Sequence, residues 1–148
     1  LRENQTFDIL NQLQLEKYER LDLDDMKKYI ESIKDHKYEY EKDDEPDISK
    51  LVEDSELASK KMSERLKRFN AELNTNVFIQ IKDKSIQIIK GKDEDRKLFC
   101  ELDNKLLRRI LDRKAHWNNA EIGTHITFKR YPNKMEPDTH TLMSFFHL

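Results

Sequence analysis

The chain has 148 residues, 39% of them charged and 36% hydrophobic, with a formal net charge of -2. A chain of this length supports a single modest core, and it contains no apolar run near the roughly 18 residues that a membrane span needs. With only two glycines, Gly91 and Gly123, no glycine-rich phosphate loop can be built, which argues against a nucleotide-fold enzyme.

The two halves differ in charge. Residues 1–75 carry 14 Lys/Arg against 20 Asp/Glu, and residues 76–148 carry 14 against 10. In both halves the bases alternate with acids rather than forming one stripe, so a nucleic-acid footprint is not expected. A single cysteine, Cys100, rules out a disulfide scaffold within the chain and suits a reducing compartment. Nothing at the start resembles a signal peptide, so the expected location is cytoplasmic. The first residue is not Met and the chain opens on helix-like sequence, as expected for a piece of a longer protein.

In chain order, Phe7, Leu10, Leu13 and Tyr18 mark a first amphipathic segment. Asp22 or Asp24 then caps a second helix whose stripe is Leu23, Met26, Tyr29, Ile30 and Ile33. Residues 39–46 lapse into charge and read as an exposed connection ending near Pro46. From the cap Asp47, the residues Ile48, Leu51, Val52, Ala58, Met62, Leu66, Phe69 and Leu73 recur at three- and four-residue spacing and predict a long helix.

At Asn74 the period changes to two. Val77, Ile79 and Ile81 alternate with Phe78, Gln80 and Lys82, and a turn at Asp83–Ser85 leads to Ile86, Ile88 and Ile89, a β-hairpin closing at Gly91. "KLFCEL" supplies a third strand, with Cys100 read as a buried, inert thiol. Asp103 or Asn104 caps the helix "KLLRRILDRK". Next comes "AHWNNAEIGTHITFKRYPN", read as a short helix from Trp117 to Ile122, a positive-φ end at Gly123, and a strand through Thr124, Ile126 and Phe128. "THTLMSFFHL" reads as a docked terminal helix. The expected fold is α+β: residues 1–73 a helical extension, linker or oligomerisation region, and residues 74–148 a small, mainly antiparallel sheet packed with helices.

The 113–133 stretch holds the one Trp, two of the five His and an Asn pair. Asn118 and Asn119 suit helix capping, and Trp117 suits a core anchor. If a ligand is bound, an apolar wall with a few polar groups is what a pocket requires. On that basis the candidates are Trp117, Asn118, Asn119, Ile126, Phe128, Leu142 and Phe145. A metal site would have to draw on His116, Glu121, His125 and His140, which lack helical His-Glu-x-x-His spacing. No residues qualify as a marked nucleophile and base.

The run "LDNKLLRRILDRKAHWNNAEIGTHITFKR" resembles part of the sterol-carrier-protein-like domains, which implies a sheet and helices around an apolar tunnel. Over residues 115–147 the chain also resembles the C-terminal region of bacterial metallo-β-lactamase-fold hydrolase-like proteins. The His-x-His-x-Asp-His signature of such hydrolases is missing here, so no catalytic residue carries over. The resemblance implies a non-catalytic accessory domain with no cofactor of its own, any metal ion belonging to the rest of the protein. The partners it implies are an upstream catalytic domain, further copies of the chain and an apolar small molecule. Two other readings stand beside it: a small metal-dependent enzyme using His116, Glu121 and His125, and an interaction module built on the 47–74 helix.

Overall fold

The structure, a computed structural model, describes residues 22–148. The segment expected around Phe7, Leu10, Leu13 and Tyr18 lies outside the described residues. The chain divides into two compact units that meet between Lys37 and Tyr38. In the first, helix α1 (Leu23–Ile33) starts at Asp22, whose carboxylate accepts from the Asp24 N–H at 3.1 Å. The expected stripe is present, and Leu23, Met26, Tyr29, Ile30 and Ile33 are all exposed.

The second unit opens with a 3₁₀ turn (Glu39–Lys42) and helix α2 (Ile48–Arg68). Three helices follow among the strands: α3 (Asn104–Leu111), α4 (Trp117–Ile122) and α5 (Pro137–Met143). The four strands are β1 (Asn76–Ile81), β2 (Lys84–Ile89), β3 (Lys97–Leu102) and β4 (Ile126–Tyr131), in the order β2-β1-β3-β4. The protein is therefore α+β with a mixed sheet. Two ladders are antiparallel, and β1–β3 is parallel. The parallel pair follows from connectivity: β2 ends opposite Val77 at the start of β1, and the short loop after Gly91 sends β3 back in β1's direction.

Helix α2 belongs with this sheet and not with the N-terminal unit. It packs on β2 and buries Leu51, Val52, Ala58 and Met62 in the same core as the strands. Asp47 caps it by accepting from the Lys50 N–H at 2.7 Å. The helix stops five residues short of Leu73 because Asn70 adopts φ 51, a left-handed residue that ends the hydrogen-bond ladder.

The pleat divides the sheet residues between two faces. Val77, Ile79, Ile81, Ile86, Ile88, Leu98, Cys100 and Ile126 are buried on one of them. Over them lie Leu106, Leu107, Ile110 and Leu111 of α3, Trp117 and Ala120 of α4, Met143 of α5, and Phe146. Trp117 is the largest fully buried side chain and meets Phe146 edge-on. The opposite face is open: Ser85, Gln87, Lys97, Thr127, Lys129 and Tyr131 are exposed.

Two local expectations are corrected. The hairpin turns at Lys82–Asp83, with Lys82 at φ 53 and Ile81 opposite Lys84, one residue earlier than the charge pattern suggests. Gly123 has φ -74, and the positive φ falls on Thr124 at 60. Because the cap of α4 runs on through Thr124, with the His125 N–H donating to the Ala120 carbonyl, β4 begins only at Ile126.

Candidate functional site

The charged segment at 39–46 is a strap fastened to α3. The Arg109 guanidinium grips Asp43 through Nε and NH2, at 2.5 and 2.8 Å, and donates to the Glu39 carbonyl at 3.0 Å. Lys105 donates to the Glu41 carbonyl at 3.2 Å. The Arg109 hydrogen bonds hold the Asp43 carboxyl below its ordinary value. One carboxylate, Asp43, and two backbone carbonyls, Glu39 and Glu41, thus fasten the strap to basic residues of α3, with the planar Arg109–Asp43 pair as the strongest of these contacts.

Fastening the strap fixes Tyr38 and Tyr40. Their rings lie parallel with centroids 5.9 Å apart, and the His125 imidazole stands edge-on to both, at 4.4 Å from Tyr38 and 5.5 Å from Tyr40. The Tyr40 hydroxyl and His125 Nδ1 are hydrogen-bonded at 3.1 Å. Burial, aided by the carboxylates of Glu41 and Asp103, pushes the Tyr40 phenol above its ordinary value, so it stays protonated at neutral pH. His125 can lie here because Gly123 has no side chain: a Cβ at that position would come 2.7 Å from the imidazole Cδ2.

These rings border a pocket of about 380 Å³. Buried Leu106 and Ala120 form its floor, with Ala115 beside them. Exposed Lys114, His116 and Asn119 stand at the rim. The pocket therefore combines flat aromatic walls, an apolar base and a few donors at the mouth, a combination that small-molecule sites share.

Of the seven residues proposed from sequence as ligand contacts, Asn119 lines this pocket and the other six lie elsewhere. Asn118 borders a shallow hollow with Glu121, Ile122 and His140. Trp117 and Phe145 border a third cavity of about 180 Å³. Ile126 is in the core, Leu142 packs against it, and Phe128 lies beneath the His140 ring at 5.0 Å. Neither Asn118 nor Asn119 caps α4, because the cap position falls on His116 and its side chain makes no capping bond.

The four residues considered for a metal site separate into two places: His116 and His125 border the aromatic pocket, and Glu121 lies with His140. His116 sits at the start of α4, and His125 pairs with Tyr40. Glu121 and His140 do meet, with Oε1 and Nδ1 2.5 Å apart, while His140 Nε2 faces the Arg130 guanidinium at 3.4 Å. Among the described residues no three His, Cys, Asp or Glu side chains are placed to hold a metal ion. Cys100 is fully buried, and burial pushes its thiol well above the ordinary value.

Tyr38, Tyr40 and Arg109 escaped the sequence reading. The available signal was a pair of aromatic residues, Tyr38 and Tyr40, inside an otherwise charged run. No family model matches the sequence, and no curated protein or solved structure matches it.

Proposed function

We propose that this chain is a non-catalytic binding module that holds a small, largely apolar molecule in the pocket bordered by Tyr38, Tyr40 and His125 and floored by Leu106 and Ala120. The observation that carries this reading is the pocket itself: its volume of about 380 Å³ lies at the lower end of the range for small-molecule sites. Rigid aromatic walls lose little entropy when they take up a flat guest. Lys114 and Asn119 at the rim suit an acidic or carbonyl group on that guest. The role as an accessory part of a larger metallo-β-lactamase-fold hydrolase-like protein is a proposal supported by the resemblance of residues 115–147 alone.

The test combines native mass spectrometry of the purified chain with a thermal-shift screen of small aromatic acids, repeated on Asn119→Trp, which plugs the rim. A co-purifying small molecule, or a stabilising aromatic acid, that is lost in Asn119→Trp supports the reading. A bare wild-type chain that no aromatic acid stabilises would overturn it.

A further inference from the structure

We propose that the cavity bordered by Trp117 and Phe145 binds a small carboxylate with a short apolar body, held at its charged end by Arg113. This inference does not depend on the pocket at the strap. The cavity measures about 180 Å³. A space of roughly 150 Å³ takes a benzene-sized guest, so a chain of about six carbons or a single ring fits.

The end of α3, the start of α4 and the turn after α5 enclose it. Beyond the last residue of α3, Arg113 is left-handed, with φ 61, and its N–H donates to the Ile110 carbonyl at 3.0 Å. The Leu148 N–H donates to the Leu111 carbonyl at 3.1 Å and ties the turn after α5 to the same helix end. Arg65 of α2 clamps that turn, donating to the carbonyls of Phe145 and His147 at 2.7 and 2.9 Å. Buried Ile110, Trp117 and Phe146 supply apolar walls, with the more exposed Phe145 beside them.

The titratable groups on the cavity are Arg113, His116 and His147, and no carboxylate lines it. By contrast, the strap pocket includes Glu39 and the cleft beside Arg130 includes Glu136. Neither Arg113 nor His116 makes an ion pair or a side-chain hydrogen bond among the described residues. Burial, with the charges of Arg65, Arg113 and Lys61, holds the His147 imidazole below its ordinary value against the opposing Leu148 carbonyl. Glu64 is the acid that acts on Arg65, and Arg113 and Arg68 each outweigh it. The buried Trp117 indole N–H also lacks an acceptor among the described residues. A guanidinium without a partner beside an apolar hollow suits a carboxylate, because its planar fork meets both oxygens while the hydrocarbon leaves water. A cationic guest would add to the unmatched charge, and a bare inorganic anion would leave the apolar walls unused.

The experiment follows Trp117 fluorescence, with calorimetry for stoichiometry, as hexanoate, hexylamine or inorganic phosphate is added to the full chain. Trp117 borders this cavity and not the strap pocket, so its signal is specific to the site. Saturable binding of hexanoate is expected, with hexylamine and phosphate about ten-fold weaker or more. Glycine suits the left-handed backbone at Arg113 better than arginine does. Arg113→Gly should therefore leave the melting temperature unchanged or raised while weakening hexanoate about ten-fold or more. Asn119→Trp, which plugs the strap pocket, should leave hexanoate binding as it is, so the two sites succeed or fail separately. Absence of hexanoate binding, equal binding of hexylamine or phosphate, binding unchanged by Arg113→Gly, or binding lost in Asn119→Trp would each overturn the proposal.

Discussion

Replacing Gly123 with Ala should destabilise the protein chiefly because of His125. With φ at -74, the backbone there suits alanine, and by itself the change would stabilise by about 0.4–1 kcal/mol through the unfolded chain. The added Cβ, however, would sit 2.7 Å from the imidazole Cδ2, so the ring must retreat by about 0.7 Å to reach ordinary contact at 3.4 Å. That retreat breaks the bond to the Tyr40 hydroxyl and the edge-on contact with Tyr38. The first costs about 0.5–1.5 kcal/mol and the second about the same. The net expectation is a loss of up to about 2.5 kcal/mol in wild type, and an effect about 1–3 kcal/mol less destabilising in His125→Ala. The Asn119 carbonyl at 3.0 Å is present in both backgrounds and cancels. Urea unfolding followed by Trp117 fluorescence, the chain's one Trp, measures all four species of this cycle. Equal effects of Gly123→Ala in the two backgrounds, within about 0.5 kcal/mol, would refute the account of why this position is glycine.

Asp54, on α2, is buried and accepts from Lys50 and from Arg108 of α3, each at 2.6 Å. Asp54→Asn should cost about 1.5–3 kcal/mol in the same urea assay, chiefly through the half-buried Arg108 rather than the solvent-screened Lys50; an effect below about 0.5 kcal/mol would show that Arg108 is satisfied by Asp112 alone. Glu136 makes a pH test. Burial alone would raise its carboxyl, but hydrogen bonds from Thr75, Asn74 and Thr139 outweigh that and hold it below the ordinary 4.5. A carboxyl lowered in the folded state contributes stability above its unfolded value, and that contribution is lost as pH falls through the folded value. The stability gap between wild type and Glu136→Gln should therefore be widest near neutral pH and shrink as pH falls below about 4.5; a gap that stays constant down to pH 3 would contradict it.

Sequence by itself set most of the local elements among the described residues, though not every turn and helix end. Asp22, Asp47 and Asp103 each cap the helix that their spacing to an apolar stripe announces, and the change from a three-to-four period to a period of two at Asn74 marks where strands begin. These signals are short-range: an Asx side chain reaching backbone N–H groups two or three residues on, and side chains repeating on one face of a helix or strand. The burial of Trp117 and the retreat of Cys100 into β3 follow from the same patterns.

What tertiary structure alone decided is which of these elements share a face. Helix α2 joins the sheet because its stripe matches the apolar side of β2, a complementarity between residues some thirty positions apart that no local period encodes. Tyr38 and Tyr40 become pocket walls only because Arg109, about seventy residues later, grips Asp43, and His125 reaches them only across the bare Gly123. Phe78, Phe99 and Tyr131 share one face only through the parallel β1–β3 and antiparallel β3–β4 registers. Local physics acts on each residue and its near neighbours, while a site is assembled from residues distant in the chain. That difference is why the elements were legible in the sequence and the candidate sites were not.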